Sequence, residues 1–409
     1  MSRKVGAMLI GMNGALGTTL LCAQAAERIS PEVDFSTPTG SDPDLAGLDL
    51  IEHSSIYYGG WDVVSQAPSE AAKTHGVVPE PTLARVGEHI DQTPRYPAVL
   101  IETGSAVDDI ISQTESSSRG KDPSFATSIF TQRPLREMIQ SLHYDLEDFR
   151  NKYDLDAIIV VNVASIEPPQ QLAEQHCSLD AFEDALDRND ASITTGMIYA
   201  YAAISNKHSY INFTPSATGD IPALQELATL KEVALCGKDG KTGQTLYKTV
   251  IAPMLKHRGL KLTGWYSTNI LGNRDGLVLN DPRHLASKIQ SKESVLSSIM
   301  GYSDFDHQVH IHYYLPRGDS KEAWDNIDFS GWFGTKMQMK IDWLGDDSIL
   351  AAPLVLDLIR WTDFFSRKGE IGVLPQLASY FKSPMGTTEC DFFRQLDMLK
   401  SHLTKHSYI

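Results

Sequence analysis

Apolar and polar positions along residues 1–240 follow one another in the rhythm of strand, turn and helix. Lys4 to Ile10 is apolar with little alternation, as expected of a parallel strand buried on both faces. It runs into Gly11-Met12-Asn13-Gly14-Ala15-Leu16-Gly17 and then the helical stretch LLCAQAAERI. Residues 29–58 read as a polar excursion rich in Pro, Ser and Asp, and 64–125 as polar and irregular, with one apolar strand near Ala98–Ile101. Helical periodicity returns at 134–152. Asp156–Val163 (DAIIVVNV) is a buried strand, Tyr210–Phe213 is another, Val233–Gly237 is a further short one, and 178–205 hold one or two helices. This alternation predicts an α/β fold built on a doubly wound parallel sheet.

From residue 245 onward the pattern changes. Leu260–Thr268 and Gln308–Leu315 read as strands, with a third near Lys336–Ile341 and helices near 284–300 and 347–366. A mixed sheet with helices on one side is the expected form, an α+β unit set beside the parallel one.

Chemistry enters first at the chain start. Strand, glycine turn and helix form the setting that a dinucleotide fingerprint requires. The pattern is G-x-N-G-x-x-G, so Gly11, Asn13, Gly14, Ala15, Leu16 and Gly17 are candidate cofactor contacts. Asn13 stands where glycine is usual, and asparagine is the residue best able to replace glycine in a left-handed conformation. Ala164 and Ser165 follow the Asp156–Val163 strand at its carboxyl end, where α/β folds hold their ligands.

At 409 residues, two domains are the default expectation. The formal charge of −16 argues against nucleic acid or an anionic membrane as a partner. An anionic substrate would then need a local cationic site. Cys22, Cys177, Cys236 and Cys390 lie far apart with no CxxC, which suits a reducing cytoplasm and no zinc ribbon. No apolar run reaches the roughly 18 residues of a membrane span, and the start lacks a signal-peptide pattern.

The cations gather between Gly237 and Lys292. Lys241-Thr242-Gly243-Gln244-Thr245 is a polar turn opening a helix, whose free N–H groups and positive dipole end suit a phosphate. Asn269 to Gly276 (NILGNRDG) reads as a polar loop too rich in amides and glycine for a core. Lys288 and Lys292 stand four apart and share one face of a helix.

Blocks in this region and beyond resemble one family. The chain has GKDGKTGQT at 237–245, STNILGNRDG at 267–276, SKIQSK at 287–292, GDSK at 318–321, DDSILAAP at 346–353 and KSP at 382–384. In this order they resemble the myo-inositol-1-phosphate synthases, isomerases of inositol and phospholipid biosynthesis that cyclise glucose 6-phosphate with a bound NAD. The resemblance implies an NAD-binding Rossmann domain over 1–244, a catalytic and tetramerisation domain inserted at 245–346, and a return to the first domain over 347–409. It implies a homotetramer in the cytoplasm, with neither nucleic acid nor membrane as partner. The simple rule places an acidic residue about 20 positions beyond the glycine turn, and none stands there. Gly60-Trp61-Asp62-Val63 is similar to the family's GWD at the end of its second strand, which makes Asp62 the candidate for the ribose hydroxyls, with Val63 beside it. The plainer reading of Asp62 is a solvated loop aspartate.

The implied reaction oxidises C5 of the open-chain sugar phosphate with NAD, removes a C6 proton, closes C6 onto the C1 aldehyde and reduces the C5 ketone. Each step puts negative charge on O5 or O1, where preorganised ammonium groups stabilise it. Clustered lysines also lose protons more readily. Lys288, Lys292, Lys321 and Lys382 fall on the family's active-site lysines. Lys288 is the candidate for proton transfer at O5 with Lys382 beside it, and Lys292 and Lys321 for the phosphate and O1. Asp239, Asp319 and Asp347 would orient lysines, Asp239 and Asp347 also reaching the cofactor. Thr242, Gly243, Gln244, Thr245, Asn269, Leu271, Asn273 and Asp275 would line the substrate, with Arg274 a departure inside that loop.

Plainer readings stand beside each of these. An i,i+4 lysine pair is a solvated helix face, Lys321 a loop cation, and Lys382 a charge at a helix C-terminus. Asp319 and Asp347 are helix caps, and Thr242 caps the helix that follows. His310 and His312 alternate on a strand near Asp306 and His307, which leaves a metal reading open. Some members of the family use an activating cation, and its identity here stays unknown. The alternatives are a related NAD-dependent cyclase or epimerase on another sugar phosphate, or a non-catalytic NAD-binding regulator.

Overall fold

The computed structural model of the chain describes residues 3–30, 36–45, 47–63, 65–101, 133–165, 167, 170–272 and 295–408. Strand β1 (Val5–Ile10) leads into α1 (Ala15–Ile29), and β2 (Ile56–Asp62) follows after the excursion. Next come α2 (Pro68–His75), α3 (Glu80–Ile90) and β3 (Arg95–Pro97). Then α4 (Leu135–Tyr153), β4 (Ala157–Asn162), α5 (Leu179–Arg188), α6 (Thr195–Ser205), β5 (Ser209–Asn212), α7 (Pro222–Leu230) and β6 (Ala234–Gly237) complete the alternation.

These strands and the late β11 (Gly372–Val373) form a seven-stranded sheet in the order β11-β6-β5-β4-β1-β2-β3. Every pairing in it is parallel. The order reverses between β1 and β4, and a crevice for a ligand opens at the carboxyl ends of such a pair. The continuous apolar runs are explained by burial on both faces. Val5, Ala7 and Leu9 enter one core with Ile159 and Val161, while Met8 and Ile10 enter the opposite core with Ile158 and Val160.

The second sheet has the order β10-β9-β7-β8. Its strands are β7 (Lys261–Leu271), β8 (Asp306–Tyr313), β9 (Ser320–Ser330) and β10 (Lys336–Asp346). β7 pairs parallel with β8, and β9 runs antiparallel to both β7 and β10. Helix α8 (Gln244–His257) and a helical segment at 295–300 cover one face through Ala252, Leu255, Leu296, Trp265 and Ile327. Helix α9 (Asp347–Arg367) then returns to the core that α1 borders, and α10 (Phe392–Lys405) joins the same core through Leu399 and Leu403.

Several expectations are corrected. The strand expected at Ala98–Ile101 is irregular, and the ladder at this edge is made by Arg95–Pro97. Beyond Pro97 the N–H groups of Ala98, Val99 and Ile101 go to the Asp62 carbonyl, the Tyr199 hydroxyl and the Thr195 hydroxyl, so Ala98 and Val99 are buried without a strand partner. The stretch thought irregular holds two helices, each opened by a proline in its first turn. Residues 56–58 belong to β2 and not to the polar excursion. β9 was not foreseen, although Ala323, Ile327 and Phe329 alternate toward the core, because the buried Asp325 interrupts the pattern. Asn269–Leu271 lie in β7, with Asn269 only 2% exposed, so the polar loop cannot begin before Gly272.

Candidate active site

The carboxyl ends of four strands stand level. Ile10 pairs with Asn162, Asn162 with Asn212, and Asn212 with Gly237. The segments that leave these strands therefore line one edge, β1 and β6 lying three strand spacings, about 14 Å, apart.

At the β1 end the glycine turn is held tightly. Gly11 has a positive φ of 85°, and a Cβ on it would lie 2.9 Å from the Ala164 Cα at the end of β4. A Cβ on Gly17 would lie 2.3 Å from the Met12 carbonyl oxygen, so only glycine lets α1 approach this closely. Gly11 and Met12 donate their N–H groups to the Trp61 carbonyl at 2.9 and 3.2 Å, which hangs the turn from the end of β2. Gly14 is the N-cap residue of α1 without a side-chain cap. The first amides of α1, at Ala15, Leu16 and Gly17, thus meet no capping side chain and open toward the sheet edge.

Asn13 does not take the left-handed conformation expected of it; that role falls to Gly11. Asn13 works through its polar groups. Its N–H donates to Asp62 Oδ2 at 2.8 Å, its amide to the Gln66 carbonyl at 3.0 Å, and its carbonyl meets His75 Nε2 at 2.8 Å. Asp62 is 8% exposed, so it is no solvated loop residue. Val63 packs at the margin of the core, and Ala164 N–H is fixed by Asn162 Oδ1 at 3.1 Å, while Ser165 is exposed. A cradle that any Cβ would fill, an uncapped helix start and a buried carboxylate at the end of β2 fit a dinucleotide.

At the β6 end two distant segments zip together. Lys238 and Ser383 exchange backbone hydrogen bonds at 3.0 and 3.2 Å, Lys382 N–H donates to the Asp239 carbonyl at 2.7 Å, and Met385 N–H to the Gly237 carbonyl at 2.7 Å. This brings Lys382 Nζ to 2.7 Å from Asp239 Oδ1. Lys382 is therefore a paired ammonium and not a helix C-terminal charge. Asp239 has a φ of 62°, a conformation that aspartate tolerates better than most residues.

The start of α8 lies beside this pair. Its N-cap residue is Gly243, with no side-chain cap, so Thr242 does not cap the helix as expected. The Thr242 hydroxyl donates to Asp347 Oδ1 at 2.8 Å instead. Asp347 also lies 3.7 Å from Lys321 Nζ, and that ammonium comes within 3.6 Å of where a Gly243 Cβ would stand. Lys321 lies in β9 and is no loop cation. An uncapped helix start roofed by an ammonium group has the electrostatics that suit an anion.

Asp319 takes the capping role weighed for it, accepting from Ser348 N–H at 3.1 Å and Ser348 Oγ at 3.2 Å at the head of α9. Gln244 and Thr245 are each 3% exposed. Gln244 donates to the Thr268 carbonyl and to Asp325 Oδ2, both at 3.1 Å, and accepts from the Asn269 amide. These two amides tie the α8 start to β7. Leu271 is buried beyond them, its carbonyl holding Tyr314 N–H at 2.9 Å. Lys288, Lys292, Asn273, Arg274 and Asp275 lie outside the described residues.

Residues that the sequence reading missed surround these. Asp325 is 2% exposed and accepts from Trp265 Nε1 at 2.7 Å and Ser267 Oγ at 2.6 Å. A carboxylate at an inward position of an alternating strand was the signal for it. Lys238 pairs with Asp220 at 2.6 Å at the end of β6. Glu167 follows β4 and holds the start of α6 through Gly196 N–H at 2.8 Å and Thr194 Oγ1 at 3.0 Å, and burial pushes its carboxyl up. His310 and His312 share a face, their rings parallel within 4° and 6.3 Å apart. Among the described residues no group of three or more His, Cys, Asp or Glu side chains is arranged to hold a metal.

Comparison with known proteins adds the following. An NAD-binding family model described as myo-inositol-1-phosphate synthase matches residues 43–404. Inositol-3-phosphate synthase 1 of Bacteroides thetaiotaomicron is 36% identical over an alignment covering 98% of this chain and 95% of that protein. Inositol-3-phosphate synthase of Saccharomyces cerevisiae is 27% identical, with 89% of this chain and 74% of that protein covered. The structure of inositol-3-phosphate synthase from Caenorhabditis elegans shares the fold with a TM-score of 0.85 at 23% identity, over 99% of this chain and 86% of that one. With a family model spanning most of its length and a whole-length relative above one-third identity, the chain belongs to the myo-inositol-1-phosphate synthase family.

Proposed function

We propose that the chain converts D-glucose 6-phosphate into 1D-myo-inositol 3-phosphate with NAD as a cofactor regenerated in each turnover. The route is oxidation at C5, enolisation, aldol closure of C6 on C1, and reduction. The observation that carries this reading is one sheet edge shared by a dinucleotide turn and an uncapped helix start flanked by Lys321, Asp347 and the Asp239–Lys382 pair. When bound, NAD supplies the acceptor for the C5 hydride and the donor that returns it.

The chain's own groups do the rest. The glycine turn and the amides of Ala15 and Leu16 bind the pyrophosphate, Asp62 takes the ribose hydroxyls, and Val63, Ala164 and Ser165 flank the cofactor. The amides of Gly243, Gln244 and Thr245 hold the sugar phosphate with the ammonium of Lys321, which Asp347 keeps in place. Lys288 moves the proton at O5, a role shared with Lys382, which Asp239 steadies. Lys292 and Lys321 stabilise charge on O1. Asn273 and Asp275 complete the substrate wall.

Residues 1–244 and 347–409 make the NAD-binding domain and 245–346 the inserted catalytic domain; β11 on the parallel sheet supports the return. A homotetramer built on 245–346 is supported by the sheet face opposite α8, where, among the described residues, Trp324 stacks on Tyr266 at 5.6 Å and His310 follows at 4.9 Å. A cytoplasmic setting is supported by four free cysteines. No helix among the described residues is long and apolar enough to cross a membrane.

The test is incubation with NAD and glucose 6-phosphate, with the product identified by NMR. An inositol monophosphate without net NADH is expected. Steady accumulation of NADH would mean an ordinary dehydrogenase, and no turnover of this sugar phosphate would move the substrate elsewhere.

A further inference from the structure

Lys241 lies inside the phosphate loop, yet it is 3% exposed and no step above uses it. Its ammonium donates to Gln395 Oε1 at 2.5 Å and sits 5.6 Å from the centre of the Phe392 ring. Both partners belong to the first turn of α10. Gln395 is itself 1% exposed and donates to the Glu389 carbonyl at 2.6 Å, while Asp391 caps the helix through Phe393 N–H at 2.9 Å.

A buried cation at a helix N-terminus is electrostatically unfavourable twice over, through lost hydration and through the positive end of the dipole. Burial depresses its pKa from the ordinary lysine value to about 8. The backbone of Lys241 explains why the position matters. Its N–H donates to the Tyr380 carbonyl at 2.9 Å, and Gly240 bridges to Phe381, immediately before Lys382. Phosphate loop, Lys382 segment and C-terminal helix therefore meet at this one residue.

We propose that Lys241 is a positioning residue for the sugar-phosphate site, acting through α10: its ammonium anchors the C-terminal helix and so sets the distance between the α8 start and Lys382. This rests on the reading of that site given above. The residue touches neither substrate nor cofactor, and its effect is on geometry.

The test is Lys241→Met, which keeps length and apolar volume, in the full chain. Expected is a kcat/KM for glucose 6-phosphate lower by about 10²-fold, the effect of a misplacement of about 1 Å remote from the chemistry. The loss should fall mainly on KM, with NAD affinity preserved in the folded variant. A well-folded Lys241→Met protein with the wild-type KM overturns the proposal, because a purely structural lysine would leave that constant alone. Should Lys241→Met fail to fold, Gln395→Met is measured in the same way, and a folded variant with unchanged KM is equally decisive. Binding of inorganic phosphate by wild-type and variant proteins, followed by calorimetry, keeps the two readings separable. If the wild-type protein makes no inositol phosphate, weakened phosphate binding in Lys241→Met still supports the anchor, and unchanged binding removes it.

Discussion

Asp62 shows how much one side chain does at the residue scale. Its carboxylate holds Asn13 N–H at 2.8 Å while standing at the end of β2, where a ribose would lie. Asp62→Ala is expected to weaken NAD binding by about 1–3 kcal/mol, as for a lost hydrogen bond to a charged group. Calorimetric titration with NAD checks this, and unchanged affinity removes Asp62 from the cofactor site. Asp145 gives a prediction in pH. It accepts from Trp61 Nε1 at 2.8 Å, and burial pushes its carboxyl up to about 6, with Asp148 adding to the push and the Trp61 bond opposing it. The folded form thus holds a proton that the unfolded form has lost above about pH 4. The stability linked to Asp145 is complete below that value and is lost as pH rises through about 6. Asp145→Asn keeps an acceptor for the indole without the charge. Its stability relative to wild type should improve between pH 4 and 7.5 by up to about 2 kcal/mol. Urea midpoints at the two pH values that differ from wild type by a constant amount would sink the idea.

At the scale of elements, what was legible follows from local physics. β1 and β4 are buried on both faces, so their sequences are apolar throughout and needed no partner to be recognised. The glycine turn was legible because Gly11 and Gly17 occupy positions where a Cβ meets Ala164 or Met12. β3 was misplaced by a few residues because the apolar Ala98 and Val99 are buried through hydrogen bonds to Asp62, Tyr199 and outside any ladder, a fate that hydrophobicity cannot distinguish from a strand. β9 was passed over because Asp325, at an inward position, satisfies Trp265, Ser267 and Gln244. A buried carboxylate is affordable only with such partners, and none of them is near it in sequence. The i,i+4 geometry of Lys288 and Lys292 lies outside the described residues.

At the scale of the whole molecule, the second sheet has one face under α8, and among the described residues no helix packs on the other. Trp324, Tyr266, His310 and His312 run across that other face as a ladder of rings. In the turn between β9 and β10, Trp332 is 86% and Phe333 fully exposed. Apolar and aromatic surface of this kind marks an interface, and closed symmetric assembly is the common way to cover it. Sedimentation at micromolar concentration should give a tetramer, and Trp324→Glu should shift it toward smaller species. A wild-type protein found only as monomer would contradict the assembly and bring the 245–346 boundary into question.

The linear order of apolar runs and glycine turns by itself determined a parallel sheet with a dinucleotide turn at its edge, because two-faced burial and freedom from a Cβ are demands that each residue meets locally. The resemblance of short blocks added the chemistry and the cations expected of it. Only the tertiary structure decided which distant partner these polar side chains meet. Lys382 reaches Asp239 across 143 positions of sequence, Thr242 reaches Asp347 across 105, and Lys241 reaches Gln395 across 154. Such pairings arise when the chain's last segments return to the first sheet. Their partners are chosen by backbone pairing and burial at that edge, which leave no periodic trace in either stretch of sequence.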